Sequence, residues 1–214
     1  MSRLEELTVE EFVRITASDA PAPGGGSIAA LAGCLAAALA EMVASLTVDR
    51  EKYAGVEAEM QQVKAEADII CGRLLKAVHE DSESFNQYMA ALALPKGTEE
   101  EKTARRAAMQ EGLKAAARVP LGVAEEALNI LPLAELCVTG GNANAVTDGL
   151  VAAMMARSCM LGALMNVRIN LQSIKDEEFV RSTAERVDVL TREAVTWERR
   201  ILATQDISRT IPEV

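Results

Sequence analysis

One aspartate stands among apolar residues in a helical stretch and could exchange a proton near neutral pH. Asp81 has Val78 one helical turn before it and Phe85 one turn after it. Partial burial raises the pKa of a carboxyl group because the charged form loses hydration, which suits the group to general acid or base chemistry. The alternative is that Asp81, Ser82 and Ser84 form an ordinary polar helix face. From the neighbouring residues alone, the polar face is the simpler interpretation.

A proline- and glycine-rich turn could bind an anion or a polarised ring carbonyl. It runs from Pro21 to Ser27, and its three glycines are Gly24, Gly25 and Gly26. The glycines let backbone N–H groups converge where Ser27 is predicted to cap a helix. Such N–H groups carry about half a positive charge, so a ligand could dock there without Lys or Arg. The alternative is a tight turn that needs glycine only for its geometry. The turn is not a P-loop, because no Lys-Ser or Lys-Thr pair follows at the required spacing.

Two further groups of polar residues are candidates for holding a substrate. Asn142, Asn144 and Asp148 crowd one loop and the helix start after it, and helix capping needs only one of them. Asn166 and Asn170 are four residues apart in an otherwise apolar helix. A buried amide must find a hydrogen-bond partner, either across the bundle or on a ligand.

One lysine and the single histidine have simpler interpretations available. Lys96 follows a Leu-Pro pair at a helix end, where the helix dipole stabilises a cation, but it could instead neutralise or polarise a ligand. His79 has Glu83 as its i+4 neighbour, which favours a surface pair. The four cysteines form no CxxC pair, so we expect reduced, buried thiols and no metal site.

Composition and charge restrict the class of protein. Half of the 214 residues are apolar but only 3% are aromatic, which favours closely packed helices over a sheet. The formal net charge of −10 argues against binding to nucleic acid or to an anionic membrane, because both need a basic surface. The first residues lack the apolar core of a signal peptide. We therefore expect a cytoplasmic protein.

Hydrophobic periodicity predicts an all-α fold. Apolar residues recur every three or four positions, and no stretch alternates for long enough to form a strand. We expect a single domain over residues 1–214, an up-and-down bundle of about seven to nine helices that dimerises through helices. Pro120 and Pro132 should interrupt one of these helices. Capping residues are predicted at Thr8, Thr98 and Asp176.

Two alanine-rich helices, over residues 28–47 and 145–174, are expected in the middle of the bundle. Their small side chains let neighbouring backbones approach closely. The first is nearly long enough to span a membrane, but it is rich in Ala and Gly, carries Glu41 and has no basic flank. Both helices begin at a glycine-containing polar loop, so the two loops are expected to meet at one site.

Several motifs occur together in an order and spacing that resemble one family. In chain order they are Pro21-Ala22-Pro23-Gly24-Gly25-Gly26-Ser27, Lys52-Tyr53, Asp81 with Phe85, Leu94-Pro95-Lys96, Val119-Pro120-Leu121, Gly141-Asn142-Ala143-Asn144 with Asp148, and Asn166-Val167-Arg168-Ile169-Asn170-Leu171. From about residue 4 to residue 205 the chain resembles the cyclodeaminase/cyclohydrolase family. Its members are formiminotetrahydrofolate cyclodeaminase and a stand-alone methenyltetrahydrofolate cyclohydrolase.

The resemblance implies a helical dimer that binds a tetrahydrofolate, with or without a polyglutamate tail, near the subunit interface. It implies Asp81 as the proton carrier and Lys96 as a second catalytic residue. Substrate contacts would come from Gly24, Gly25, Gly26, Ser27, Asn142, Asn144, Asp148 and Asn170. Neither reaction of the family needs a metal or a redox cofactor, so the folate would be substrate rather than resident cofactor.

Three functions follow from the resemblance. Hydrolysis of 5,10-methenyltetrahydrofolate to 10-formyltetrahydrofolate ranks first because the chain carries no transferase. The alternative is deamination of 5-formiminotetrahydrofolate, which would require a separate formiminotransferase. A non-catalytic folate-binding or assembly module is the alternative of another class.

Overall fold

The computed structural model describes residues 3–208, and within this range it contains helices and no strand. The α-helices are α1 (Val9–Thr16), α2 (Gly25–Ser45), α3 (Glu57–Leu92), α4 (Glu99–Gly140), α5 (Val146–Leu171) and α6 (Glu177–Leu202). Short 3₁₀ turns lie at Leu4–Glu6, Glu51–Val56, Ala143–Ala145 and Asp206–Ser208. The predicted all-α fold is confirmed.

The described part of the chain has six α-helices rather than the expected seven to nine. The difference arises in α4, which runs through Pro120 and Pro132 without ending. A proline inside a helix removes one hydrogen bond and costs about 3 kcal/mol. Helix α4 packs against α3, α5 and α6 along its length, so burial of its side chains offsets this cost. Tertiary packing therefore overrides the local signal at both prolines.

Side-chain caps fix three of the helix starts. Thr8 and Thr98 each form a capping box, in which the threonine hydroxyl accepts from the backbone three residues on. The Asp176 carboxylate accepts from the N–H of Phe179 at the start of α6. All three predicted caps are confirmed.

Helices α2, α3, α4 and α5 pack as a ring in which each contacts the next, and α6 lies against α5 and α4. Consecutive helices are antiparallel, as the contacts between α2 and α3 illustrate. Ser27 near the start of α2 meets Asp81, whereas Cys34 farther along α2 meets Cys71, earlier in α3. The architecture is the up-and-down bundle that the sequence predicts.

Small residues let α2 and α5 pack closely against each other and against their neighbours in the ring. A Cβ added at Gly33 of α2 would lie 2.7 Å from the Cys159 Sγ of α5 and 2.9 Å from the Leu74 Cδ1 of α3. By length and composition, Gly25–Ser45 and Ala143–Leu171 could each cross a membrane, but 56% and 50% of their most apolar windows are buried inside the bundle. Their composition is accounted for by close helix packing.

We predict that Gly33→Ala lowers the free energy of unfolding by about 1–3 kcal/mol, because the added methyl group has no space between α3 and α5. Gly72→Ala is the matched control, since a Cβ at Gly72 meets nothing within 4 Å. That control should stabilise the protein by about 0.5–1 kcal/mol through helix propensity. Urea denaturation of the two variants measures both changes, and equal stabilities would contradict the packing described here.

Candidate active site

A carboxyl group from α3 lies against the first turn of α2. The Ser27 Oγ donates a hydrogen bond to the Asp81 Oδ2 at 2.9 Å, and the Ser82 Oγ lies 3.4 Å from the same serine oxygen. Ser27 is fully buried, whereas Asp81 remains partly exposed. The buried hydroxyl of Ser27 therefore holds the partly exposed Asp81 carboxyl group in place.

Glycine at position 26 makes room for this carboxyl group. A Cβ on Gly26 would overlap the Asp81 Oδ1 and would lie 2.6 Å from its Cγ. The N-terminal turn of α2 thus faces a carboxylate of the same chain. A carboxylate is favoured there by the partial positive charge of the helix end. The glycine turn was predicted to bind an anion, and in the structure the Asp81 carboxyl group of the same chain lies against it.

The structure corrects the predicted role of Ser27 as an N-cap. Helix α2 begins at Gly25, its N-cap is Gly24, and this cap makes no side-chain hydrogen bond. Because the helix starts three residues earlier than expected, the Ser27 hydroxyl lies inside the helix and bonds to α3 instead. Gly24 is exposed, and a Cβ there would meet nothing within 4 Å, so open space adjoins the start of the helix.

Burial raises the pKa of the Asp81 carboxyl above its usual 3.8, while hydrogen bonds from the side chain and backbone of Ser27 act in the opposite direction. A carboxyl whose pKa is raised on folding binds a proton more tightly in the folded chain. Its contribution to stability is therefore full below the unfolded pKa and is lost as the pH rises through the folded value. Asp81 can accept and return a proton closer to neutral pH than a free aspartate can.

The two predicted asparagines of α5 lie on the same side of the bundle as Asp81. The Asn166 amide nitrogen would be 3.3 Å from a Cβ on Gly25, so this side chain adjoins the start of α2. Asn170 was predicted to bind substrate. Its amide nitrogen donates to the Ala116 carbonyl of α4 at 2.8 Å and to the Asn166 carbonyl at 2.9 Å. These bonds give Asn170 a role in joining α4 to α5.

The loop that carries Asn142 and Asn144 lies beyond the other end of α2. The Asn142 amide nitrogen donates to the Leu46 carbonyl at 3.0 Å, and its backbone N–H donates to the Thr47 Oγ1 at 2.9 Å. Its side-chain oxygen accepts from the Asn144 N–H at 3.0 Å. Asp148 follows in the first turn of α5. The described contacts of Asn142 therefore attach this loop to the end of α2 and fix its shape.

The two loops that were expected to meet at one site do not meet within a single chain. Gly25 lies beside Asn166, whereas Gly33 lies beside Cys159, so α2 and α5 are antiparallel. The loops that precede two antiparallel helices lie at opposite ends of the pair. With 21 residues in α2, the separation is about 30 Å at 1.5 Å per residue. Only the glycine turn adjoins Asp81 in a single chain.

Lys96 is also distant from Asp81 along the fold. It is exposed in the segment between α3 and α4. Asp81 lies 11 residues before the last residue of α3, Leu92, a separation of about 16 Å along the helix axis. The structure does not bring the two predicted catalytic residues together.

Three residues that adjoin Asp81 on α3 or the loop at Ala143 were not predicted as site residues. The Tyr53 hydroxyl accepts from the Ala143 N–H at 3.1 Å, a contact across 90 residues that no local pattern signals. Phe85 and Met89 follow Asp81 by one and two turns and are 37% and 47% exposed. An exposed aromatic and an exposed thioether beside a carboxyl can hold a flat ring. The i+4 and i+8 spacing could have revealed them.

Comparison with known proteins assigns the family. A family model described as Formiminotransferase-cyclodeaminase matches residues 8–189. The chain belongs to this family. It is 38% identical over 197 residues to the methenyltetrahydrofolate cyclohydrolase of Methylorubrum extorquens, across 92% of this chain and 95% of that protein. It is 36% identical over 191 residues to the formimidoyltransferase-cyclodeaminase of Sus scrofa, across 89% of this chain and 35% of that protein.

The fold agrees with the formiminotransferase-cyclodeaminase family assignment. The structure matches the crystal structure of formiminotetrahydrofolate cyclodeaminase from Thermotoga maritima with a TM-score of 0.84 and 30% identity, over 94% of this chain and 96% of that chain. The resemblance seen in the sequence motifs is therefore confirmed. The chain spans nearly all of the bacterial relatives but about a third of the Sus scrofa protein.

We predict that Ser27→Ala raises the pKa of Asp81 further, because the Ser27 hydrogen bond stabilises the ionised form. Carbon-13 NMR of the labelled carboxyl group measures the titration directly. Ser45→Ala, at an exposed position of the same helix, is the control and should leave the titration unchanged. An unchanged or lower pKa in Ser27→Ala would show that this hydrogen bond does not hold the carboxylate.

Proposed function

We propose that this chain hydrolyses 5,10-methenyltetrahydrofolate to 10-formyltetrahydrofolate, with Asp81 as the proton carrier. The observation that carries the proposal is a partly exposed carboxyl of raised pKa, held by Ser27 at the open start of α2. Its support from the comparisons is the similarity to a methenyltetrahydrofolate cyclohydrolase over 95% of that protein's length. The substrate is a tetrahydrofolate, and the reaction is assigned to the cytoplasm.

The proposed chemistry needs one group that takes up a proton and returns it. Water attacks the electrophilic carbon between N5 and N10 of the folate while the Asp81 carboxylate accepts a proton from that water. The C–N5 bond then breaks as the remaining hydroxyl proton is released to solvent, and Asp81 returns its proton to N5 while the formyl group stays on N10. A general base positioned in this way accelerates such a step by about 10²–10⁴-fold. No metal ion or redox cofactor takes part in this sequence.

The exposed apolar side chains that follow Asp81 on α3 suit the folate ring system. Phe85 and Met89 are exposed one and two turns along α3, and Gly24 leaves open space at the start of α2. We assign ring stacking to Phe85 and backbone contacts to Gly24 and Gly25. Lys96 is assigned to the anionic glutamate end of the substrate, because it follows the end of α3, and the last residue of that helix, Leu92, is about 16 Å along the helix axis from Asp81.

Deamination of 5-formiminotetrahydrofolate is the second candidate function. It is favoured by the match to the Thermotoga maritima cyclodeaminase across 96% of that chain. In this reaction N10 attacks the formimino carbon, and the formimino nitrogen leaves as ammonia after it receives one proton from the protonated Asp81 and the proton that N10 gives up. The transferase that supplies the formimino group would then be a separate chain.

A second copy of the chain completes the proposed site. Helix α2 exposes Ile28, Leu35 and Met42 at intervals of seven residues, and α5 exposes a row that includes Met165 and Ile169. Because α2 and α5 are antiparallel neighbours, helical spacing places both rows on one side of the pair. This face is two helices wide and about 30 Å long.

If two copies pack through this face about a twofold axis perpendicular to it, the α2 helices of the two copies run in opposite directions. The glycine turn and Asp81 of each copy would then lie beside the loop of residues 142–148 in the other copy. Asn144 and Asp148 would reach the substrate across the subunit interface, although they are about 30 Å away within one chain. The homodimer is thus proposed to form the site that one chain leaves incomplete.

Turnover assays with each folate test the function. Loss of the methenyl absorbance from 5,10-methenyltetrahydrofolate indicates the hydrolase, and its appearance from 5-formiminotetrahydrofolate indicates the deaminase. We predict that Asp81→Asn lowers the turnover rate by ~10²-fold or more because the proton carrier is lost. Asp68→Asn, at an exposed position of the same helix, should retain full activity.

Two results would contradict this assignment. Near-full activity of Asp81→Asn would remove Asp81 from the proton-transfer role. Tight folate binding without turnover of either substrate by the wild-type protein would instead identify a non-catalytic folate-binding module.

The proposed dimer predicts the effect of a charge on the apolar face. Leu35→Glu would place a carboxylate at the centre of the interface, so we expect dissociation to monomers and loss of turnover. Ile69→Glu is the control, because Ile69 is 53% exposed on the outer side of α3. Analytical ultracentrifugation measures the mass of both variants. A wild-type protein that is monomeric and fully active would overturn the composite site.

A further inference from the structure

Two cysteines from different helices face each other in the seam between α2 and α3. The Cys34 Sγ and the Cys71 Sγ are 3.1 Å apart, close enough for a thiol–thiol hydrogen bond. An S–S bond is about 2.05 Å long, so bond formation requires an approach of about 1 Å. Such a movement is small compared with the freedom of two side chains. A small side-chain movement would therefore bring the two sulfurs to bonding distance.

We propose that Cys34 and Cys71 are a reversible dithiol–disulfide site that reacts with low-molecular-weight disulfides and cross-links α2 to α3. The reaction oxidises the two protein thiols to one disulfide and reduces one molecule of the small disulfide to two thiols. Protons and electrons balance without any other reactant. The proposal is independent of the folate chemistry.

The difference in burial between the two thiols determines which cysteine attacks the small disulfide first. Cys71 is partly exposed, whereas Cys34 is 6% exposed. The Cys71 thiolate attacks the small disulfide first, which forms a mixed disulfide and releases one small thiolate. The Cys34 thiol then loses its proton and attacks the Cys71 sulfur, which releases the second small thiolate. Burial raises the pKa of Cys34 to about 12, so this second step is the slow one.

The other two cysteines provide internal controls. Cys137 and Cys159 are buried, at 1% and 0% exposure, and burial raises the pKa of each thiol to about 12. The Cys137 thiol donates to the Ala40 carbonyl at 3.4 Å. Neither thiol should react with a small disulfide in the folded protein.

The cross-link has a predictable effect on stability. The two cysteines are 37 residues apart, so a disulfide closes a loop that the unfolded chain otherwise explores freely. Cys34 lies seven residues, or two helical turns, after Ser27, so the bond fastens the same two helices that meet at Asp81. We expect a higher melting temperature in the oxidised protein, and return to the original value on reduction with dithiothreitol.

Incubation of the intact protein with glutathione disulfide tests the proposal. We expect the number of titratable thiols to fall from four to two, with a peptide map that joins Cys34 to Cys71. In Cys34→Ser, the reaction should stop at a stable glutathione adduct on Cys71. In Cys71→Ser, all three remaining thiols should stay free.

Three outcomes would overturn the proposal. They are retention of all four thiols in the wild-type protein, a wild-type adduct on Cys71 that never converts to the cross-link, and a disulfide between two chains. Thiol counts, mass spectrometry and peptide mapping distinguish these outcomes without an activity assay. The result therefore stands whether or not the protein turns over a folate.

Discussion

The structure depends on the contact between a carboxyl group of α3 and the first turn of α2. Asp81 approaches so closely that residue 26 can have no side chain, and the Ser27 hydroxyl fixes one of the carboxyl oxygens. The helix end and these hydrogen bonds stabilise the negative charge, whereas burial opposes it. Because burial dominates, the group remains able to bind a proton, and because it is partly exposed, a substrate can reach it.

The close packing of α2 with α3 and α5 determines where the two polar loops lie. Small residues such as Gly33 let α2 approach α3 and α5. The antiparallel direction of α2 and α5 then separates the two polar loops by the length of a helix. A site that uses both loops is possible only if a second chain supplies one of them. The exposed apolar rows on α2 and α5 offer the surface on which such a chain can pack.

Much of the fold was predictable because it follows from local rules. The capping boxes at Thr8 and Thr98 mark helix starts through short-range hydrogen bonds, and periodic apolar residues give the extent of α3. Pro120 and Pro132 were misleading because their local cost is offset by contacts with other helices. The family motifs predicted Asp81 as the proton carrier, whereas its own neighbours favoured a polar face, and this role stays a prediction.

The remaining site features depend on helix register, which the sequence does not encode locally. Ser27 looked like an N-cap, but helix α2 starts three residues earlier than a cap at this position implies. The pairing of Cys34 with Cys71 and of Tyr53 with the loop at Ala143 joins residues far apart in the chain. Both pairs follow from how the helices pack, so they became visible only in three dimensions.

The pH dependence of methenyltetrahydrofolate hydrolysis tests the central claim most directly. If Asp81 is the base, kcat/KM rises with pH through the pKa of this carboxyl, and Ser27→Ala moves that rise to higher pH. A rise at the same pH in the wild type and in Ser27→Ala would show that another group controls the reaction.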